Sequence, residues 1–174
     1  MKQSVLKKLK QVKLLLLDVD GVLTDGHIVF DPNGRELKFF DVQDGFGLVV
    51  LKRFGIKVAI ISAKSAPAVA KRMKDLRIDK VCQNAYPKLK VYQKLLKEFH
   101  LTDKDVCFIC DDLPDLAVLK SVGLGVAVPN AVAEIKRQAH YVTKKAGGHG
   151  AVREVVELIL KAQGKWQKCI KEFS

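Results

Sequence analysis

Three short apolar runs in this chain each end on side chains suited to a divalent cation or a phosphate. Leu14–Leu17 leads into Asp18 and Asp20, residues 58–61 lead into Ser62, and Val106–Cys110 leads into Asp111 and Asp112. In an open parallel sheet with right-handed crossovers, ligands bind beyond the carboxyl ends of the strands. Those are the polar residues a site there would draw on. Asp18 and Asp20 lie two apart in a segment read as extended, so they point the same way before Gly21 lets the chain turn. Adjacent carboxylates repel unless a cation lies between them. With Asp111 from another strand end they form a hard, oxygen-rich set with room for waters and a phosphate, which describes Mg²⁺. Taken singly, each acid is equally a turn former or a helix cap, and Ser62 a cap and Lys88 a surface lysine. The coincidence of three strand ends favours a site.

The elements that must position these groups follow from the apolar pattern. Continuous apolar runs, including residues 124–128, suit a parallel sheet covered by helices on both faces. Tyr92, Leu95, Leu96 and Phe99 recur at helical spacing, as do Val152, Val155, Val156, Ile159 and Leu160. Further helices are expected after Asp44-Gly45 and over residues 66–76. Two β-prone runs, His27-Ile28-Val29-Phe30 and Glu36-Leu37-Lys38-Phe39-Phe40, flank Asp31-Pro32-Asn33-Gly34 and read as a hairpin over about residues 26–40. It projects from the end of the first strand, where a site would be. Beyond Gly164, Trp166, Cys169, Ile170 and Phe173 keep helical spacing, so the tail over about residues 163–174 docks on the domain or on a neighbouring subunit. The fold class expected is α/β: a Rossmann-like parallel sheet with helices on both faces and a projecting β-hairpin, without a separate cap domain.

Bulk properties narrow the function. At 174 residues, 19.4 kDa and 48% hydrophobic content, the chain encloses one good core and is read as a single domain over residues 1–174. Lysines precede Leu14–Leu17 as in a secretion signal, but Asp18 ends the apolar run too early, and no segment approaches a membrane span. A cytoplasmic protein is expected. Cys107 and Cys110 form a lone C-x-x-C inside a strand, where residues three apart face opposite ways, so they read as buried apolar residues rather than a metal or redox pair. A net charge of +12 permits attraction to nucleic acid, to anionic membranes or to a phosphorylated small molecule. The lysines are scattered and no nucleic-acid motif accompanies them. A solvated basic surface is therefore expected, with no nucleic-acid or membrane partner.

Asp18-Val19-Asp20-Gly21-Val22-Leu23-Thr24 resembles the first signature of the haloacid dehalogenase superfamily. Ser62 resembles the second, Lys88 the third, and Asp111-Asp112-Leu113-Pro114-Asp115 the fourth. One branch is closely similar: the 3-deoxy-D-manno-octulosonate 8-phosphate phosphatases and their relatives acting on nine-carbon sugar-acid phosphates. The residues that carry this are Thr24-Asp25-Gly26, Asp41-Val42-Gln43-Asp44-Gly45, Val122-Gly123-Leu124-Gly125-Val126-Ala127-Val128 and, most specifically, Gly147-Gly148-His149-Gly150-Ala151-Val152-Arg153-Glu154.

The resemblance implies a Mg²⁺-dependent phosphomonoester hydrolase working through an aspartyl-phosphate. Asp18 would be the nucleophile and Asp20 the general acid, then the base. Mg²⁺ would be held by the Asp18 carboxylate, the Asp20 backbone carbonyl and the Asp111 carboxylate, with Asp112 behind them. Ser62 would donate to a phosphoryl oxygen, and Lys88 would pair with the phosphate and Asp18. The sugar acid would meet Asp20, Asp25, Asp41, Asp44, Gly45, Lys64, Arg72, Lys88 and Arg153. Lacking a large lid, the branch implies a homotetramer whose hairpins close each other's sites, with Ile28, Phe30, Phe39 and Phe40 as apolar surface, and a place in lipopolysaccharide biosynthesis. Two alternatives stay open: a sialic-acid-type 9-phosphate phosphatase, and a non-catalytic oligomerisation module like those fused to sialic-acid-activating enzymes, against which the retained acids, Ser62 and Lys88 argue. Ala63-Lys64 stands where the branch carries Gly-Arg, Gln43 and Val49 where arginine is expected, and Cys110 where glycine is usual. These departures leave the sugar open.

Overall fold

The computed structural model describes residues 2–173; Met1 and Ser174, the outermost residues of the expected domain and tail, lie outside the described residues. Helix α1 (Gln3–Gln11) precedes strand β1 (Leu14–Leu17), and β2 (Val29–Phe30) with β3 (Glu36–Leu37) forms the hairpin. Then come α2 (Val42–Arg53), β4 (Lys57–Ile61), α3 (Pro67–Asp75), β5 (Lys80–Cys82), α4 (Lys88–Phe99) and β6 (Val106–Cys110). The chain continues with α5 (Leu116–Ser121), β7 (Leu124–Ala127), α6 (Ala133–Gln138), β8 (Tyr141–Val142), α7 (Ala151–Ala162) and α8 (Trp166–Lys171).

The main sheet runs β5-β4-β1-β6-β7-β8, with every pairing parallel. The chain winds outward from β1 through β4 to β5, then returns and winds the other way from β6. The order therefore reverses between β1 and β6, and a crevice opens there at the carboxyl edge. Leu17 pairs with Ile60 on one side and Ile109 on the other. This register delivers Asp18, Ser62 and Asp111 to the same edge within one residue of each other.

The sheet is anchored by burial. All four leucines of β1 are fully enclosed, each contributing about 1.5–3 kcal/mol. Helices α1, α2 and α7 pack together on one face, and α4, α5 and α6 on the other. Val152, Val155, Val156, Ile159 and Leu160 are all buried, as their spacing in α7 requires. Cys107 and Cys110 are enclosed because both faces of the sheet are covered. Burial pushes both thiols far above the ordinary range, so neither is a ready thiolate.

Several elements differ from the sequence reading. Strands β5 and β8 were not foreseen, being too short and too mixed to show a period, nor were α1 and α6. Helix α1 buries only Val5 and Leu9 among its lysines. The hairpin strands shorten to two residues each and stay apart from the main sheet. Their turn is closed by Asp31, which accepts from the Asn33 and Arg35 N–H groups at 2.9 and 2.8 Å. Phe40, expected on the apolar exterior, instead packs against the core, whereas Ile28, Phe30 and Phe39 remain exposed. The tail docks on its own domain: Cys169 of α8 is buried and Phe173 meets Phe46 edge-on at 5.4 Å. No helix among the described residues is long and apolar enough to cross a membrane.

Candidate active site

The site is built on the turn that follows β1. The segment after Asp18 is not extended: Val22, Leu23 and Thr24 all donate their N–H groups to the Val19 carbonyl, at 3.2, 2.9 and 3.2 Å. Asp18 and Asp20 nevertheless line the same cavity. Gly21 sits at φ +80, and a Cβ there would lie 2.1 Å from Asp111 Oδ2. Only glycine lets the β1 turn lie against the end of β6. From the other side, Gly148 N–H donates to the Val22 carbonyl at 3.0 Å. A Cβ at Gly147 would stand 1.8 Å from the Gly21 carbonyl oxygen. Asn130 ties these parts together, donating from Nδ2 to the Gly21 carbonyl at 2.8 Å and accepting at Oδ1 from Gly147 N–H at 2.9 Å. Sequence reasoning missed Asn130. The available signal was its place as the first side-chain amide after an apolar strand end.

The cavity at the switch point encloses about 260 Å³ and is walled by Asp18, Asp20, Ser62, Lys64, Lys88, Asp111, Asp112 and Asp115. Lys88 enters from the first turn of α4 with a side chain only 2% exposed. Its Nζ lies 2.9 Å from Asp18 Oδ1 and 2.5 Å from Asp115 Oδ1. Burial works against the ammonium, but Asp18 and Asp115 more than offset it and hold Lys88 above the usual lysine range. Asp18 Oδ1 also accepts from Val19 N–H at 2.7 Å, which fixes the plane of the carboxylate.

Asp115 is the member of this cluster that the sequence reading left without a role. It is fully buried, and its Oδ2 has no hydrogen-bond partner among the described residues. Burial, then the charge of Asp18, pushes its carboxyl well above the carboxylate range. Asp111 is pushed up to about 7 by burial, then by the charges of Asp18 and Asp112. Asp18, Asp111 and Asp115 each present an oxygen within 4.8 Å of the others. A divalent cation fits here on chemical grounds: it would neutralise three crowded carboxylates and satisfy an orphaned buried oxygen. Asp112 faces the cavity but spends Oδ1 on Leu113 N–H at 2.7 Å, capping the short turn Leu113–Asp115.

Ser62 is buried and its Oγ accepts from Lys64 N–H at 3.2 Å, which leaves the hydroxyl hydrogen to donate. Of the residues expected to bind substrate, Asp20, Lys64 and Lys88 share this cavity. Asp25 and Asp41 line an adjoining groove of about 500 Å³ with Gln43, Gly148 and His149. The remainder lie elsewhere. Asp44 is only 1% exposed and turns toward α7, accepting from Gly150 and Arg153 N–H at 3.3 and 2.7 Å, so it caps a helix instead of facing a ligand. Its carboxyl is pushed up to about 6 by burial. Gly45 lies under Arg72, where a Cβ would stand 2.3 Å from Nη2. Arg153 donates to Glu157 at 3.0 Å and places its guanidinium over Phe46 and Trp166, under the C-terminal helix.

A haloacid dehalogenase-like hydrolase profile matches residues 72–155. Over 162 residues the chain is 44% identical to the 3-deoxy-D-manno-octulosonate 8-phosphate phosphatase KdsC of Escherichia coli strain K12, a match spanning 93% of this chain and 86% of that protein. It is similar to the structure of 3-deoxy-D-manno-octulosonate 8-phosphate phosphatase from Moraxella catarrhalis in complex with magnesium ion, phosphate ion and KDO, with 41% identity, a TM-score of 0.97 and 100% of each chain covered. The phosphatase of the same description from Yersinia pestis superposes with a TM-score of 0.94 at 41% identity, over 96% of this chain and 90% of that one.

Proposed function

This chain belongs to the haloacid dehalogenase-like hydrolases, and from that premise we propose that it is a Mg²⁺-dependent phosphomonoesterase for a phosphorylated sugar acid of the 3-deoxy-D-manno-octulosonate 8-phosphate type. The observation that carries this reading is the convergence of Asp18, Asp111 and Asp115, with Lys88 bonded between the first and the last. Those three acids would hold Mg²⁺, which would supply the charge neutralisation that lets an anionic nucleophile approach a phosphate dianion. Asp18 attacks phosphorus with its carboxylate, and the bond to the sugar oxygen breaks. Asp20 gives the departing alkoxide a proton, then as carboxylate takes one from the water that hydrolyses the aspartyl-phosphate and frees Asp18. Ser62 donates its hydroxyl to a phosphoryl oxygen, while Lys88 pairs with Asp18 and orients it.

Lys64, which lines the cavity, meets the sugar acid's carboxylate without the bidentate fork of arginine. The protein acts in the cytoplasm as a homotetramer. Phe30, Phe39 and Ile28 are 62%, 65% and 55% exposed on the hairpin, more apolar surface than a lone two-stranded ribbon leaves in water. Packing hairpins between copies would cover that surface and shield the cavity from bulk water.

Phosphate release from eight- and nine-carbon sugar-acid phosphates and from hexose phosphates, measured with Mg²⁺ and with a chelator, tests the reading. The eight-carbon acid is expected to turn over at least about tenfold faster than any hexose phosphate, and chelation to abolish all turnover. Metal-independent release, or preference for a hexose phosphate, would refute it.

A further inference from the structure

We infer that Lys38 is the positioning residue for Asp20, reaching from the hairpin to fix the carboxylate that serves the leaving group. This rests on the phosphatase reading above and extends it to a residue outside the cavity. Side chains alternate along β3 and its continuation. Leu37 and Phe39 face outward, 40% and 65% exposed, whereas Glu36 and Lys38 turn toward the turn after β1. The Lys38 side chain is 2% exposed. Its ammonium bonds Asp20 Oδ1 at short range and Glu36 Oε1 at 2.7 Å.

A lysine so deeply enclosed loses most of its hydration, which these two carboxylates offset. Lys38 does not wall the acidic cavity, while Asp20 does, so it reaches the reaction only through Asp20. Glu36, two residues back on the same face, tethers the ammonium from behind. With Oδ1 held in this way, Oδ2 of Asp20 is the oxygen left for the alkoxide. The hairpin contributes nothing else to that carboxylate, and its own pairing is only two residues per strand.

Single-turnover release of the leaving group, with enzyme in excess, separates positioning from mere structural support. The wild type, Lys38→Met and Lys38→Arg are compared on 3-deoxy-D-manno-octulosonate 8-phosphate, whose alkoxide needs a proton, and on 4-nitrophenyl phosphate, whose phenolate leaves without one. Lys38→Met is expected to slow release from the sugar-acid phosphate about 10²-fold and from the nitrophenyl ester less than about threefold. Lys38→Arg should recover at least about tenfold of the sugar-acid rate. Equal losses on both esters, the mark of a misfolded or merely unseated hairpin, would overturn the inference, as would no loss on either. A wild type that releases neither leaving group would instead refute the phosphatase reading itself.

Discussion

Replacing Asp18 with Asn is expected to lower phosphate release by about 10⁴-fold or more while leaving the protein folded. The amide has the shape of the carboxylate but no charge with which to attack phosphorus. Two opposing effects bear on stability. Lys88 loses its 2.9 Å partner, yet keeps Asp115 at 2.5 Å, and one negative charge leaves a cluster in which Asp111 and Asp115 are already pushed up by burial and then by the charge of Asp18. Relief of that repulsion offsets the weakened ion pair, so the metal-free melting temperature should stay level or rise. The stabilisation gained on adding Mg²⁺ should shrink, because one of the three carboxylates proposed to hold the ion becomes a neutral amide. Phosphate release and melting curves with and without Mg²⁺ check both parts. Turnover within about tenfold of the wild type would mean that another group attacks phosphorus.

Lys88→Met should be nearly as damaging, and in a pH-dependent way. The substitution fills the same volume but leaves Asp18 and Asp115 facing each other without the ammonium that bonds both. Breaking a buried pair from one side costs about 3–5 kcal/mol when the remaining charge persists. Here the cost is escapable, since Asp115 can take a proton. A carboxyl raised above its unfolded value of 3.8 favours the fold at low pH and loses that advantage as pH climbs toward the folded pKa. Removing Lys88 raises Asp115 further, so the loss of stability should be about 2–4 kcal/mol near pH 8 and under about half of that near pH 5.5. Activity should fall about 10³-fold or more at either pH, since Asp18 loses the ammonium that orients it. Denaturant melts at the two pH values, beside phosphate release, provide the check. An equal loss at both would mean that Lys88 acts by packing alone.

The parts of the fold legible in the sequence were those whose residues are buried without interruption. Strands β1, β4, β6 and β7 stand out because both faces of the sheet are covered, which leaves a continuous apolar run. Strand β5 reads Lys-Val-Cys and is only half-buried, so no period marks it. Asp18, the proposed nucleophile, its neighbour Asp20 and Asp111 were visible as strand-end acids. The pairing of Lys88 with Asp18 came only through the resemblance, and the other contacts were not visible because they join distant parts of the chain: Lys88 to Asp115, Lys38 to Asp20, and Asn130 to both Gly21 and Gly147. Asp44 shows the converse. Its motif pointed to substrate, but the packing of α2 on α7 buries it and turns it into a cap, and sequence spacing carries no sign of that packing.

The hairpin links the remaining pieces. Its inner side holds Asp20 through Lys38, and its outer side exposes the apolar surface proposed to pack between copies. A change in the hairpin's seat would thus move Asp20, the group proposed to protonate the leaving alkoxide, and would couple the proposed assembly to turnover through one ion pair.

The central claim is that a carboxylate of this chain takes up the phosphoryl group, and trapping that adduct tests it most directly. The wild type is mixed with Mg²⁺ and substrate, quenched in acid during turnover and reduced with borohydride, which converts an aspartyl-phosphate to homoserine, and the peptides are weighed. Homoserine at position 18, dependent on Mg²⁺ and substrate, is the expected result. Homoserine at any other acid, or steady turnover in which no aspartate is ever reduced, would contradict it.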